Sequence, residues 1–461
     1  MRCVREVAPK ELGGSVTGGP RHTSLPAPRE RYAAGKRLRR QLPRQMQGTW
    51  TIAKGKTRNR LRPIYRVNQG RLPKLLPEKY KRMRSSPFAF FRGAAALMAA
   101  DLATTLRTGV TVQICGDAHV RNLGAYAALD GTLVFDLNDF DETIAGPWEW
   151  DVKRLATSLI LAGEESGQSE AQCEASVRLF VRSYRTHLSM FATMRFATLG
   201  RYLISRRRRN PLLDAIFRDA QRVTPMRNLE KLTIARGGRV RLHDRSPVLE
   251  HVSTRLAADV VRALGQYAGT LSASRRRTFE RYRPIDVAFK LVGTGSVGTR
   301  DYLVLLFGNG PGDPLFIQVK QELPSCYEPY LHQSASVRNQ GRRVAEGQQL
   351  LQTLSDPFLG YTRFGGHDYL VRQLADHKAA VNPAKLNRRT LREYAILCGE
   401  VLAKGHARTG DAALLAGYAG NSPKLDRAIT AFAVTYAEQV RADYRLFRRP
   451  RHWKAHQRLL A

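Results

Sequence analysis

The spacing of apolar residues changes twice along the chain. SSPFAFFRGAAALMAADLATTL (85–106) opens on Ser-Pro and continues almost without a polar break, which predicts a buried helix. VTVQIC (110–115) and TLVFDL (132–137) are short runs of branched and aromatic residues that predict strands, joined through a polar loop. WEWDVKRLATSLILAGEES (148–166) returns to helical spacing, and residues 169–280 read as mainly helical. Near residue 285 the period shortens: IDVAFKLV, YLVLLF, LFIQVK, FLGYTRF and YLVRQL predict five strands, with one helical segment (332–354) between the third and fourth. From about residue 390 the pattern is helical again.

The fold class expected from this order is α+β. Residues 1–48, rich in Gly, Pro and Arg, read as a largely disordered basic arm with a short helix at 30–41. A mostly helical region (49–280), a five-stranded antiparallel sheet (281–378) and closing helices (379–461) follow.

The sheet region carries the first candidate chemistry. KLVGTGSVGTRDYLVLLF contains Gly293, Gly295 and Gly298, with Ser296 between them. In a dinucleotide fold the third glycine would open a helix, but here an aromatic and branched run follows, which prefers strand. Strand, glycine loop and strand is the arrangement by which protein kinases cover ATP phosphates with backbone amides. An ordinary hairpin is the competing reading. Lys320, in LFIQVKQE, ends the next apolar strand, where a kinase-like site needs a lysine for the phosphates. Glu346, from the following helix, is the expected partner of that lysine, with Glu322 as the alternative.

The second candidate lies in CGDAHVRNLG (115–124) and, fourteen residues past its asparagine, DLNDFDE (136–142). Phosphoryl transfer needs a carboxylate near the acceptor hydroxyl, and an asparagine and aspartates for magnesium. Asp117 and Asn122 are five residues apart, so one loop can supply base and metal ligand. Asp136 closes the next strand as the expected metal aspartate, with Asp139 and Asp141 as further ligands. His119 is a second catalytic candidate. An Asx turn followed by a calcium-type loop is the competing reading. An EF-hand counted from Asp136 would require glycine and glutamate where Asp141 and Pro147 stand, so that version fails.

Charge sharpens the picture. The formal net charge is +37, which favours anionic partners. Yet residues 93–164 hold ten acidic and four basic side chains, against four acidic and 24 basic in residues 1–92. Cation binding is one reason for such an island. Five scattered cysteines form no CxxC pair, which argues against zinc and against a disulfide framework. With no apolar run long enough to span a membrane and no secretory signal visible, the expected location is cytoplasmic.

RMRSSPFAFFRGAA, CGDAHVRNLG, FDLNDFDET, GPWEWDVKRLATSL, VGTGSVGTR, VAEGQQLLQ and LAKGHARTGD together resemble a bacterial domain-of-unknown-function family, number 2252, over about residues 48–445. That family looks like a remote relative of the protein-kinase-like and aminoglycoside phosphotransferase group, whose catalytic loop reads HGD-x4-N. Gly116, Asp117 and Asn122 match that loop; Cys115 stands where the histidine usually does, and Leu123 replaces an expected aromatic residue. Asp151 resembles the buried aspartate that begins the next helix in those enzymes. The resemblance implies a two-lobe, protein-kinase-like fold. Because the glycine loop here follows the catalytic loop by about 175 residues, it implies a circular permutation as well. EYAILCGEVLAKGHARTGD, near the C-terminus, resembles the helix that enters the catalytic loop in phosphotransferases.

The expected function is therefore an ATP- and magnesium-dependent phosphotransferase acting on the hydroxyl of a small molecule or protein. The alternatives are an inactive, kinase-like, nucleotide-binding regulatory module, and a nucleic-acid-binding protein. The last rests on the basic charge and the arginine run at 206–209.

Overall fold

The shortened period near residue 285 becomes a six-stranded sheet in the computed structural model, which describes residues 25–51, 60–128, 131–205, 210–236, 239–291, 293–331, 337–374 and 378–449. In chain order, β1 (Thr111–Ile114), β2 (Leu123–Ala127), β3 (Leu133–Leu137) and β4 (Ile144–Pro147) are short strands of the first half. β5 (Thr233–Arg236) and β6 (Arg239–Leu242) form a hairpin. β7 (Leu249–His251), β8 (Arg283–Lys290), β9 (Asp301–Phe307), β10 (Pro314–Gln321), β11 (Gly360–Phe364) and β12 (His367–Gln373) build the large sheet, and β13 (Ala379–Ala380) pairs with β2.

The large sheet is antiparallel in the order β11-β12-β10-β9-β8-β7. β9 and β10 are buried along their whole length. Alternate side chains explain why. Tyr302, Val304, Leu306, Leu315, Ile317 and Val319 enter one core together with helix Thr254–Ala268. Leu303, Leu305 and Phe316 enter a second core on the opposite face. A strand covered on both faces reads as a continuous apolar run. Gln318 and Lys320 share the parity of Phe316, so their polarity falls where that second face meets a cavity. The expected count of five strands is corrected to six: β7 has three residues, too few to show a period.

Two further expectations change. The stretch expected as a loop between the strands at 110–115 and 132–137 holds a strand of its own, β2, which pairs with β3, while β1 pairs with β4. β2 reads LGAYA, whose small residues carry little strand signal. The single helix expected at 85–106 is two, Pro87–Gly93 and Ala95–Leu102, because Ala94 leaves the helical conformation between them. Helix Gln340–Leu351 lies between β10 and β11, where the helical spacing places it.

The helical body surrounds Trp148–Glu165, a helix buried on nearly all sides, with Glu170–Thr193, Arg388–Thr409 and Lys424–Phe447 packed around it. The expected loose arm is partly structured. Helix Pro28–Gln41 docks on helix Ala412–Ala419, with Arg39 donating to the Tyr418 carbonyl and Arg44 to that of Ala419. Residues 1–24 and the 206–209 run lie outside the described residues. Among the described residues no helix is long and apolar enough to cross a membrane.

A buried ion network closes this body. Arg60, 4% exposed, pairs with Asp101 at 2.5 Å and with Asp443 at 2.7 Å, and Tyr436 donates to Asp101 at 2.8 Å. Removing one partner of such a network leaves a charge stranded. Arg60→Ala, which strands both Asp101 and Asp443, is expected to cost about 3–5 kcal/mol in urea unfolding. An unchanged midpoint would show that the network contributes nothing net.

Candidate active site

The loop between β1 and β2 is held from beneath. Asp151, in the first turn of Trp148–Glu165, accepts from the amides of Cys115 at 2.8 Å and Gly116 at 2.9 Å. His406 lies 3.4 Å from the same carboxylate and bonds Tyr184 through its other ring nitrogen at 2.8 Å. Gly116 has φ 78°, a left-handed conformation that side chains resist, and a Cβ there would collide with the Glu142 carbonyl. Farther along, Val120 donates to Ser158 and accepts from Tyr394.

Asp117 is therefore set at the cavity wall with 16% of its side chain exposed. Arg154, three residues after Asp151 on the same helix, meets Asp117 Oδ1 at 2.5 Å. Burial is the largest influence on Asp117 and outweighs Arg154, so its carboxyl is pushed up from 3.8 to about 6. Burial, and then the charges of Arg92, Arg154 and Arg121, push His119 well below the usual histidine value. Its Nδ1 accepts from the Arg121 amide at 3.2 Å, which leaves the proton on Nε2, 3.7 Å from Asp117 Oδ2. His119 is thus a neutral neighbour of Asp117, beyond hydrogen-bond distance of its carboxylate.

The β2–β3 register brings the two sequence motifs together. Leu123 faces Leu137, and the Asn138 amide donates to the Asn122 carbonyl at 3.0 Å. Asn122 Nδ2 donates to the Asp117 carbonyl at 3.0 Å, leaving its side-chain oxygen for another partner. Asp139 follows Asn138, and its Oδ1 is buried with no hydrogen-bond partner. Burial, then Asp141, raises its carboxyl. Asp136 points elsewhere. It forms a buried ion pair with Lys404 and does not line the cavity, so the expected metal role is corrected: Asp136 fastens β3 to helix Arg388–Thr409.

The distant glycine segment folds back to meet this loop. Ser296 donates to Asp141 Oδ2 at 2.8 Å, and Lys320 bonds both oxygens of Asp141. Burial works against the Lys320 ammonium, but Asp141, Glu322 and Asp139 more than offset it and hold its pKa above the ordinary lysine value. Burial likewise opposes ionisation of Asp141, yet Lys320 holds that carboxyl well below its usual range. Asp141 is therefore the partner of Lys320, where a metal role was expected. Glu346 does not reach Lys320: its side chain is 52% exposed and pairs with Arg342 one turn away at 2.7 Å. Glu322, the residue just after β10, lies 3.8 Å from Lys320. Helix Gln340–Leu351 contributes Arg343 instead, which donates to the carbonyls of Asp141 and Thr143 and fixes that loop.

One cavity of about 520 Å³ is lined by Gly293, Gly295, Ser296 and Lys320 on one side and by Asp117, His119, Asn122 and Asp139 on the other. A Cβ built on Gly293 or Gly295 meets nothing within 4 Å, so the backbone there lies open to close approach. Gly298, with φ 94°, is pinned from outside. The Leu72 amide donates to its carbonyl at 2.7 Å, and Arg71 covers it while donating to the Val297 carbonyl at 2.8 Å. Among the described residues, Arg82, Arg92, Lys290, Lys320, Arg372 and Lys378 line the same cavity against three carboxylates, Asp117, Asp139 and Asp356. Such a lining suits a polyanion. Among the described residues no group of three or more His, Cys, Asp or Glu is placed to hold a metal ion. Asn122 and Asp139 line the cavity and carry side-chain oxygens, the atom type magnesium takes from a protein when phosphates provide its other ligands.

Lys378 carried no motif signal in the sequence, and Arg92, though inside the segment RMRSSPFAFFRGAA, was given no role there. Arg154 did carry a signal, since its spacing from Asp151 puts both on one helical face. The Asp151 contact is testable. Asp151→Ala orphans two buried amides, each worth about 1–3 kcal/mol. A lower urea midpoint is expected, with a smaller loss for Asp151→Asn, and equal midpoints for all three proteins would refute the clamp.

No curated protein and no solved structure matches the chain. A family model does, over residues 71–450, and its description is an uncharacterised protein conserved in bacteria. That match spans most of the sequence and includes both sides of the cavity, so the chain belongs to this bacterial family, domain of unknown function 2252.

Proposed function

We propose that the protein is an ATP- and magnesium-dependent phosphotransferase with a circularly permuted, protein-kinase-like architecture. The observation that carries this reading is the convergence of Gly293–Ser296 and Lys320 with Asp117, Asn122 and Asp139 around one basic cavity. Support also comes from the order β8, glycine loop, β9, lysine strand β10 and then helix Gln340–Leu351, which matches the parts a kinase-like small lobe needs. Helices from both ends of the chain form the remaining body, as a permutation requires.

In this reading the amides of residues 293–295, the Ser296 amide being taken by the Gly293 carbonyl at 3.0 Å, and the Lys320 ammonium hold nucleotide phosphates. Asn122 and Asp139 would hold magnesium, which supplies charge neutralisation on the phosphates when bound. Asp117 accepts the proton of the acceptor hydroxyl. The acceptor oxygen bonds to the terminal phosphorus as that phosphorus parts from its bridging oxygen, and ADP leaves with the bond electrons. A carboxyl near 6 is ionised at neutral pH yet basic enough to take a proton in transit.

A second reading, a nucleotide-binding regulatory module without transfer, draws on the Arg154–Asp117 ion pair, which engages one carboxylate oxygen. Asp117→Asn separates the two. Transfer or ATP hydrolysis is expected to fall by about 10²–10⁴-fold, with MgATP still raising the melting temperature. Equal activity in wild type and variant would rule out Asp117 as the base. MgATP failing to stabilise wild type would remove both readings.

The pH dependence has a definite sign. Folding raises the Asp117 value from 3.8 to about 6, so its contribution to stability is full below about 3.8 and is lost as pH rises through about 6. Activity moves the opposite way. The rate is expected to fall as pH drops below about 6, and a rate flat from pH 5 to 8 would exclude this assignment.

A further inference from the structure

The segment RMRSSPFAFFRGAA has no part in the reaction described above, yet it ends at the cavity. Ser86 caps helix Pro87–Gly93 by accepting from the Ala89 amide at 3.0 Å. The helix is fastened to the Asp117 loop at two points. Phe88 meets the His119 ring edge-on at 6.2 Å between centroids. Arg154, which grips Asp117, also lies 4.3 Å from the Phe91 ring and donates to the Phe91 carbonyl at 3.1 Å. Arg92 comes next in sequence, so its position relative to Asp117 is set by the same contacts.

Arg92 lines the cavity and is uncommitted. Its Nε is shut away from solvent without a hydrogen-bond partner, and among the described residues the side chain makes no ion pair. Burial, then Arg121, lowers its pKa to about 10, while Asp117 and Asp139 act on it in the opposite direction. It therefore remains charged at neutral pH. Of the other basic side chains near Asp117, Lys320 is held by Asp141, Arg154 by Asp117 and Arg82 by Glu78 at 2.8 Å, His119 is uncharged, and Arg121 is exposed and does not line the cavity. A guanidinium with an unfilled buried donor is matched best by a planar or tetrahedral oxyanion.

We propose that Arg92 binds the phosphoryl group undergoing transfer, at the point between Asp117 and Asp139. The ligand class is a phosphate oxyanion, supplied by the terminal phosphate of the nucleotide or by a phosphate already carried by the acceptor. Arg92 adds charge stabilisation there and takes no proton. The proposal rests on the phosphotransferase reading for the identity of the reaction, but the anion site itself does not.

Calorimetric binding of MgATP, MgADP and inorganic phosphate in the presence of MgADP tests it, using the full chain as wild type, Arg92→Gln and Arg92→Lys. Because Arg92 has no protein partner, ligand-free melting of Arg92→Gln is expected to match wild type. Should that variant fail to fold, Arg92→Lys, which keeps charge without the planar fork, carries the same contrast at smaller size. Arg92→Gln is expected to weaken MgATP by on the order of tenfold with MgADP unchanged, which assigns the site to the terminal phosphate. Loss of inorganic phosphate binding with MgATP unchanged supports the site and assigns it to the acceptor. Arg92-dependent phosphate binding in a wild type that binds neither nucleotide keeps the anion site and sinks the phosphotransferase reading. Affinities independent of residue 92 for all three ligands, or no binding of any, overturn the proposal.

Discussion

The bond between Lys320 and Asp141 joins the two halves of the molecule at the cavity. One partner ends a strand buried on both faces, and the other lies in the turn after β3. Neither charge could rest there alone, since an isolated charge in so dry a place costs far more than folding can spare. Ser296 extends the contact into the glycine loop, and Arg343 braces the Asp141 carbonyl from behind. The cavity thus owes its two walls to a carboxylate that three separate segments share. Its basic lining is tolerable for a related reason: Asp117, Asp139 and Asp356 spread negative charge among the cations.

Below this, Asp151 serves the Asp117 loop as Asp141 serves the glycine loop. It takes up two amides that the sharp turn at Gly116 leaves without backbone partners. Geometry near Asp117 is thereby passed down to His406 and Tyr184 in the helical core, far from solvent. The arrangement concentrates rigidity under the loop and leaves Asp117 itself at the surface of the cavity.

Much of this was legible before the fold was known. Strands of the large sheet announced themselves because burial on both faces demands unbroken apolar runs, and the lone Lys320 within such a run signalled a polar purpose. The five-residue spacing of Asp117 and Asn122 marked one loop that reaches the cavity at both residues. What could not be read was direction. Asp136 and Asp139 are equally acidic in sequence, but strand alternation turns one toward Lys404 and leaves the other at the cavity. Glu346 has the right spacing on its helix for a partner of Lys320, yet it lies on the solvent side, and Asp141 takes the place expected for it. Arg92 offered no periodic clue, because its environment is made by the tertiary contacts of Phe88 and Phe91. β2 and β7 were hidden for simpler reasons, small side chains in one and short length in the other.

The hold of residues 71 and 72 on Val297 and Gly298 has a mechanical consequence. A glycine-rich hairpin attached only at its own strands could lift like a flap, with the two strands as its hinge. Here the far side of the hairpin is sewn to a stretch of chain that continues directly into helix Leu76–Met83. Raising the roof at Gly298 must either break that seam or drag the stretch along.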